Sequence, residues 1–134
     1  MILLDSSFIV SFYNLRDENH SKAIELMENI RKGKYGSACT TDYIFDETIT
    51  VALIRLKNLA KVVGMGEEIR SFFEIADVEK ADFEEAWKFF KAQKETKFSF
   101  TDCTTIVVMR RKEINNIATF DGDFKKIEGI NAIC

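Results

Sequence analysis

"MILLDSSFIVSFYN", Met1 to Asn14, carries the pattern that the rest of the chain repeats. Three apolar residues, Ile2 to Leu4, make a short strand that stops at Asp5, and helical character follows from Ser6 to about Asn14. A second helix is expected from about Asn19 to Lys32, with Ala23, Met27 and Ile30 at helical spacing and Gly33 as its stop. "YGSACT", Tyr35 to Thr40, reads as a second strand. The longest helix is expected over Tyr43 to Val63, where Phe45, Ile49, Ala52, Leu53, Leu56, Ala60 and Val63 keep a 3.6 period. Gly64 and Gly66 read as breaking it. A shorter helix over Glu67 to Glu74, a strand near Ile75 to Val78 and a helix over Ala81 to Lys94 follow, the last with Phe83, Ala86, Trp87 and Phe90 on one face. "FSFTDCTTIVVMRRK", Phe98 to Lys112, reads as an apolar helix headed by Asp102. "IATF", Ile117 to Phe120, is a buried-type strand ending at Asp121, and "INAI", Ile130 to Ile133, is a last strand.

Strands alternating with helices predict an α/β fold: a three-layer α/β/α sandwich around a mainly parallel sheet of about four to five strands. The 134 residues suffice for one domain, 1–134, and no linker, repeat or low-complexity tract divides them. No apolar run approaches the roughly 18 residues of a membrane span, and "MILLDSS" lacks the features of a signal peptide. A cytoplasmic protein with no membrane partner is expected. Three cysteines without a CxxC pair argue against a disulfide framework or a thiolate zinc site, and a single histidine, His20, excludes a multi-histidine one. The net charge of −3 counts against a broad basic nucleic-acid coat.

In parallel α/β sheets, ligands bind beyond the carboxyl ends of the strands. Asp5 and Asp121 each directly follow a strand and would stand on one rim. Asp46 and Glu47 lie near the start of the longest helix, Asp102 heads another, and Asp123 follows in "FDGDF". Singly, each has a structural explanation. Asp5 is a plausible helix cap, Ser99 and Asp102 fit a capping box, "DGD" fits a turn, and acids favour helix N-termini. Together they make a different case. Carboxylates about 4 Å apart repel by roughly 4 kcal/mol per pair at an effective dielectric near 20, and no cation is inserted among them in the sequence. A divalent cation resolves the repulsion, and all-oxygen ligands suit Mg²⁺ or Mn²⁺.

"LLDSS", "TDYIFDETIT", "SFTD" and "ATFDGDF", in that order and at these spacings, resemble the PIN domain and, within it, the VapC-type toxin ribonucleases. The resemblance spans nearly the whole chain. It implies that Asp5, Glu47, Asp102 and Asp121 are catalytic metal ligands, with Asp123 an additional acid and Ser6 a hydrogen-bonding support. It implies an endoribonuclease in which one or two Mg²⁺ or Mn²⁺ ions activate water for in-line attack, leaving a 5′-phosphate and a 3′-hydroxyl. It further implies an RNA substrate, a VapB-type antitoxin partner and a homodimer. Arg110, Arg111, Lys112, Lys125 and Lys126 are candidates for a basic rim contacting RNA phosphates; the alternative is a solvated helix end. Phe72 and Phe89 fit their helices' apolar faces less well than Phe73 and Phe90, and core packing or isolated exposure competes with a role in a dimer or antitoxin groove. His20 reads as structural.

Three rivals differ in their demands. A PIN nuclease that processes cellular RNA would share every feature above. A haloacid-dehalogenase-like phosphatase needs a second aspartate two residues after the first, where Ser7 stands. A noncatalytic module with a structural cation would need the acids without any cleavage.

Overall fold

The computed structural model describes all 134 residues, Met1–Cys134. Five strands, β1 (Ile2–Leu4), β2 (Ala38–Thr41), β3 (Glu74–Ala76), β4 (Asn116–Ala118) and β5 (Asn131–Ile133), form one sheet in the order β3-β2-β1-β4-β5. Every pairing is parallel. Six helices connect them: α1 (Ser6–Tyr13), α2 (His20–Arg31), α3 (Asp42–Leu56), α4 (Leu59–Phe72), α5 (Lys80–Ala92) and α6 (Phe100–Arg111). The central strand β1 is fully buried, as its unbroken Ile-Leu-Leu run requires in a sheet covered on both faces. Phe8, Ile9, Ile44, Ile106, Met109 and Ile117 pack with it in a core of 21 buried residues. No helix is long and apolar enough to cross a membrane.

Register decides what the site can be. Leu4 pairs with Ala118, so the segments leaving β1 and β4 emerge side by side. The Asp5 N–H donates to the Ala118 carbonyl at 3.0 Å, which extends the ladder to the carboxylate itself.

The helix expected to run unbroken from Tyr43 to Val63 is two helices. Lys57, in the left-handed region at φ 50°, ends α3, and the Asn58 side chain then caps α4 by accepting from the Lys61 N–H at 3.1 Å. The turn lets Ala52 pack against Val62 and Met65 in a small second core. Gly64 and Gly66 lie inside α4 and break nothing. A Cβ on Gly66 would stand 3.3 Å from Ile49 Cδ1, so the glycine permits close approach of α4 to α3. The apolar period continued through Lys57 because both helices turn an apolar face to the same contact.

The aromatic pattern of α5 also divides differently. Ala86 is buried and Phe89 packs on the core, where Phe73 also sits. Phe83, Trp87 and Phe90 form an outward cluster around Phe100, with Trp87 and Phe90 stacked at 5.7 Å. Phe72 is 72% exposed. His20 Nδ1 lies 2.9 Å from the Ser11 carbonyl, so that nitrogen carries the proton and ties α2 to α1.

Candidate metal centre

Three carboxylates converge at the carboxyl edge of the sheet. Asp5, Glu47 and Asp102 each offer an oxygen such that all three atoms lie within 4.8 Å of one another. They line a cleft of about 400 Å³ with Asp121, Ser6, Ser99, Asp17, Arg55 and Lys97 among its walls. Each acid arrives by a local device. Asp5 is the first residue beyond β1, at the entry to α1. Glu47 sits in the second turn of α3, where Ser6 Oγ donates to its Oε2 at 2.5 Å. Asp102 caps α6: its Oδ2 accepts the Ser99 N–H at 3.0 Å, and its own N–H donates to Ser99 Oγ at 3.1 Å. Capping occupies one carboxylate oxygen and fixes the group at the helix N-terminus.

Asp5 is 2% exposed. Its Oδ2 accepts from Thr119 Oγ1 at 2.7 Å and from Ser7 Oγ at 2.9 Å. Each hydroxyl has a single proton, so both are committed to Asp5, and their lone pairs receive the N–H groups of Asp121 and Phe120. The other oxygen, Oδ1, is buried without a hydrogen-bond partner. An acceptor left this way in a native core calls for a missing partner.

The electrostatics agree. Burial pushes the Asp5 carboxyl above its usual range, against the lowering effect of the Thr119 and Ser7 hydroxyls. Burial, and then the neighbouring Asp5 charge, push Asp102 up to about 7. Three carboxylates with only oxygen donors, one orphaned buried oxygen and an Asp102 carboxyl pushed up to about 7 fit a hard divalent cation.

The remaining expected site residues fall into different places. Asp121 lines the cleft outside the tight triad, and its Oδ1 caps a short 3₁₀ helix, Gly122–Lys126, by accepting the Asp123 N–H at 2.9 Å. Asp123 does not line the cleft. Its carboxylate takes an ion pair from Lys126 at 2.8 Å and accepts the Lys97 N–H at 3.3 Å, and the Lys126 contact foremost holds it below the usual range. Lys125 lines an adjacent cavity beside Asp121, Asn19 and Lys22. The Arg110–Lys112 segment lies at the other end of α6. Arg110 stacks over Phe89, and Lys112 reaches Glu74 at the opposite edge of the sheet. Arg111 is committed to Asp82, which is 3% exposed. Burial would raise the Asp82 carboxyl, but hydrogen bonds from Arg111 and the Glu79 N–H prevail and hold it low.

Sequence reading passed over Ser7, Thr119, Arg55 and Lys97. Arg55 carries a visible signal: Glu47, Val51 and Arg55 are spaced by four on one helix face, and all three line the cleft. Thr119 carries a weaker one: β4 ends at Ala118, two residues sooner than "IATF" implied, which sets Thr119 across from Asp5. Burial pushes the Cys39 and Cys103 thiols up to about 11, so both stay protonated and inert.

A five-stranded parallel sheet carrying an acidic cluster at its carboxyl edge is the architecture of a PIN domain, and the PIN family model matches residues 2–130; the chain belongs to this family. Among curated proteins it is 33% identical to the 23S rRNA-specific endonuclease VapC20 of Mycobacterium tuberculosis, over 92% of each chain. It is 29% identical to a VapC ribonuclease of Archaeoglobus fulgidus, over 91% of this chain and 78% of that one. The crystal structure of Mycobacterium tuberculosis VapC20, described as a Sarcin-Ricin loop cleaving toxin, superposes with a TM-score of 0.87 at 28% identity, covering 99% and 98% of the two chains. The structure of VapBC2 from Rickettsia felis, bound to a promoter DNA fragment, shares the fold with a TM-score of 0.70 at 16% identity, again over 99% and 98%.

Proposed function

We propose that this chain is a VapC-type toxin endoribonuclease that hydrolyses RNA phosphodiesters with Mg²⁺ or Mn²⁺ held by Asp5, Glu47 and Asp102, with Asp121 completing the acidic rim. The observation that carries the reading is the buried, partnerless Oδ1 of Asp5 inside a three-carboxylate cluster. When bound, the ion activates water and offsets charge on the phosphate. The chain's own residues do the positioning. Ser7 and Thr119 hold the Asp5 carboxylate by one oxygen, leaving the other without a hydrogen-bond partner. Ser6 orients Glu47, and the α6 cap orients Asp102. Lys97 and Arg55 supply positive charge at the cleft wall, where an RNA phosphate must approach an acidic surface. Asp123 has less support as a ligand, because Lys126 already balances it.

The partners follow from the same reading. The apolar groove between α3 and α4, lined by Phe45, Ile49, Leu53, Leu59, Val62 and Val63, offers an antitoxin helix a surface of the right chemistry. A homodimer would cover the Phe83, Trp87 and Phe90 face of α5. All three rings are exposed on the monomer, a contiguous apolar face of the kind a two-fold partner covers.

Purified protein offered structured RNAs, including fragments of large-subunit ribosomal RNA, is expected to cleave with Mg²⁺ or Mn²⁺ and to stop in EDTA. Cleavage that persists in EDTA would sink the reading. Growth arrest on expression, relieved by a small partner protein encoded beside it, separates a toxin from an RNA-processing nuclease.

A further inference from the structure

The acidic cleft explains where a phosphodiester would react but not how a polyanion stays bound. Its walls carry Asp5, Asp17, Glu47, Asp102 and Asp121 against only Arg55 and Lys97. Without metal such a surface repels RNA, so backbone contacts must lie alongside it.

A second cavity of about 310 Å³ adjoins the first and shares Arg55 with it. Arg16, Arg55 and Lys61 line it, and no carboxylate does. None of the three takes part in any of the chain's ion pairs. Asn14 and Asn58 also line it. Their carbonyl oxygens are used at home, Asn14 Oδ1 accepting the Arg16 N–H and Asn58 Oδ1 the Lys61 N–H, each at 3.1 Å. Each amide NH₂ is left as a donor. The cavity therefore presents three cations and two neutral donor groups, the inventory that suits phosphate oxygens.

We propose that this cavity is a phosphate-binding subsite that holds the RNA backbone flanking the cleaved bond, with Arg55 bridging it to the acidic cluster. The proposal rests on the nuclease reading above and adds the path of the strand. The turn at Lys57 serves it by starting α4 where Asn58 and Lys61 face α1's end. An acidic segment of a protein partner would meet the same donors, but only RNA must also reach the neighbouring acids through Arg55.

The test is fluorescence anisotropy of a labelled single-stranded RNA of about twelve nucleotides, titrated in EDTA across a range of KCl. It compares wild type, Arg16→Ala/Lys61→Ala, and a charge-matched Lys32→Ala/Lys34→Ala control. The control residues are exposed near the end of α2, at the opposite edge of the sheet. Losing two backbone contacts should reduce the magnitude of the log–log salt slope by about 1.4, at roughly 0.7 per contact for single strands, and weaken binding about tenfold near 0.15 M salt. The control should match wild type. An unchanged slope in Arg16→Ala/Lys61→Ala overturns the subsite and leaves the cavity to a protein partner. A control that falls equally overturns it as well, by showing only a general charge effect. Wild-type cleavage with Mn²⁺, run in parallel, keeps the two claims apart: no cleavage sinks the nuclease, whereas cleavage with an unchanged slope sinks only the subsite.

Discussion

Asp5→Asn should lower RNA cleavage by on the order of a thousandfold while leaving the metal-free fold at least as stable as wild type. A metal ion contributes several kcal/mol to stabilising a phosphoryl transition state, and about 1.4 kcal/mol corresponds to a decade in rate. Asparagine keeps an oxygen that can accept from Thr119 and Ser7. It removes one of three charges that repel one another in a buried cluster. Activity and stability thus move in opposite directions, which a variant damaged by misfolding would not show. Single-turnover cleavage beside a denaturant melt in EDTA measures both. A variant that keeps full activity, or one that loses activity and stability together, contradicts the role assigned to Asp5.

Arg111→Ala should destabilise the protein by about 2–4 kcal/mol, the range for breaking a buried pair, trimmed because the Arg111 side chain keeps 34% exposure. Arg111 donates Nε to both Asp82 oxygens at 2.9 and 3.1 Å, and Nη2 to Oδ2 at 2.9 Å and to the Asp77 carbonyl at 3.1 Å. Removing it strands a carboxylate between α5 and α6, with only the Glu79 N–H at 2.9 Å still reaching it. The melting temperature should fall by about 10 °C for a chain of this size. Asp82→Asn/Arg111→Ala should regain part of the loss, giving a measurable coupling energy. RNA binding below the melting transition should keep its salt slope, since this arginine belongs to the fold. A lowered slope with unchanged stability would return Arg111 to the basic rim.

These two residues show what a sequence makes legible. Asp5, Glu47 and Asp102 were readable because each is placed by a local rule: the end of a strand, the early turns of a helix, an S-x-x-D cap. The parallel sheet then carries local position into convergence. Arg111 misleads on the same logic. A basic helix end beyond an acidic helix start looks like an RNA rim, and its true partner, Asp82, lies 29 positions away on another helix. The hydroxyls that hold Asp5 were hidden for a similar reason. Thr119 is 114 positions from Asp5 and meets it only through the β1–β4 register. The α3–α4 hairpin was masked because apolar periodicity continues across Lys57, and no glycine marks a turn made by a lysine in the left-handed region.

The central claim is that the acidic cluster is built for a divalent cation, and its pH dependence tests it most directly. In the metal-free protein, Asp102 titrates near 7, well above its ordinary value of 3.8. The folded state therefore binds the extra proton between these values. Its stabilising effect is complete below about pH 4 and is lost as pH rises through 7, a change on the order of a few kcal/mol. Asp82 titrates low and acts only at the acid end, losing its contribution as pH falls. The measurement is the melting temperature from pH 5 to 8 in EDTA and in Mg²⁺ or Mn²⁺, for wild type and Asp102→Asn. Wild type in EDTA should lose stability as pH rises, the cation should restore it, and the restoration should grow with pH. Asp102→Asn should flatten both trends. No cation-induced rise at pH 7.5 in wild type, or an equal rise in Asp102→Asn, would contradict the account.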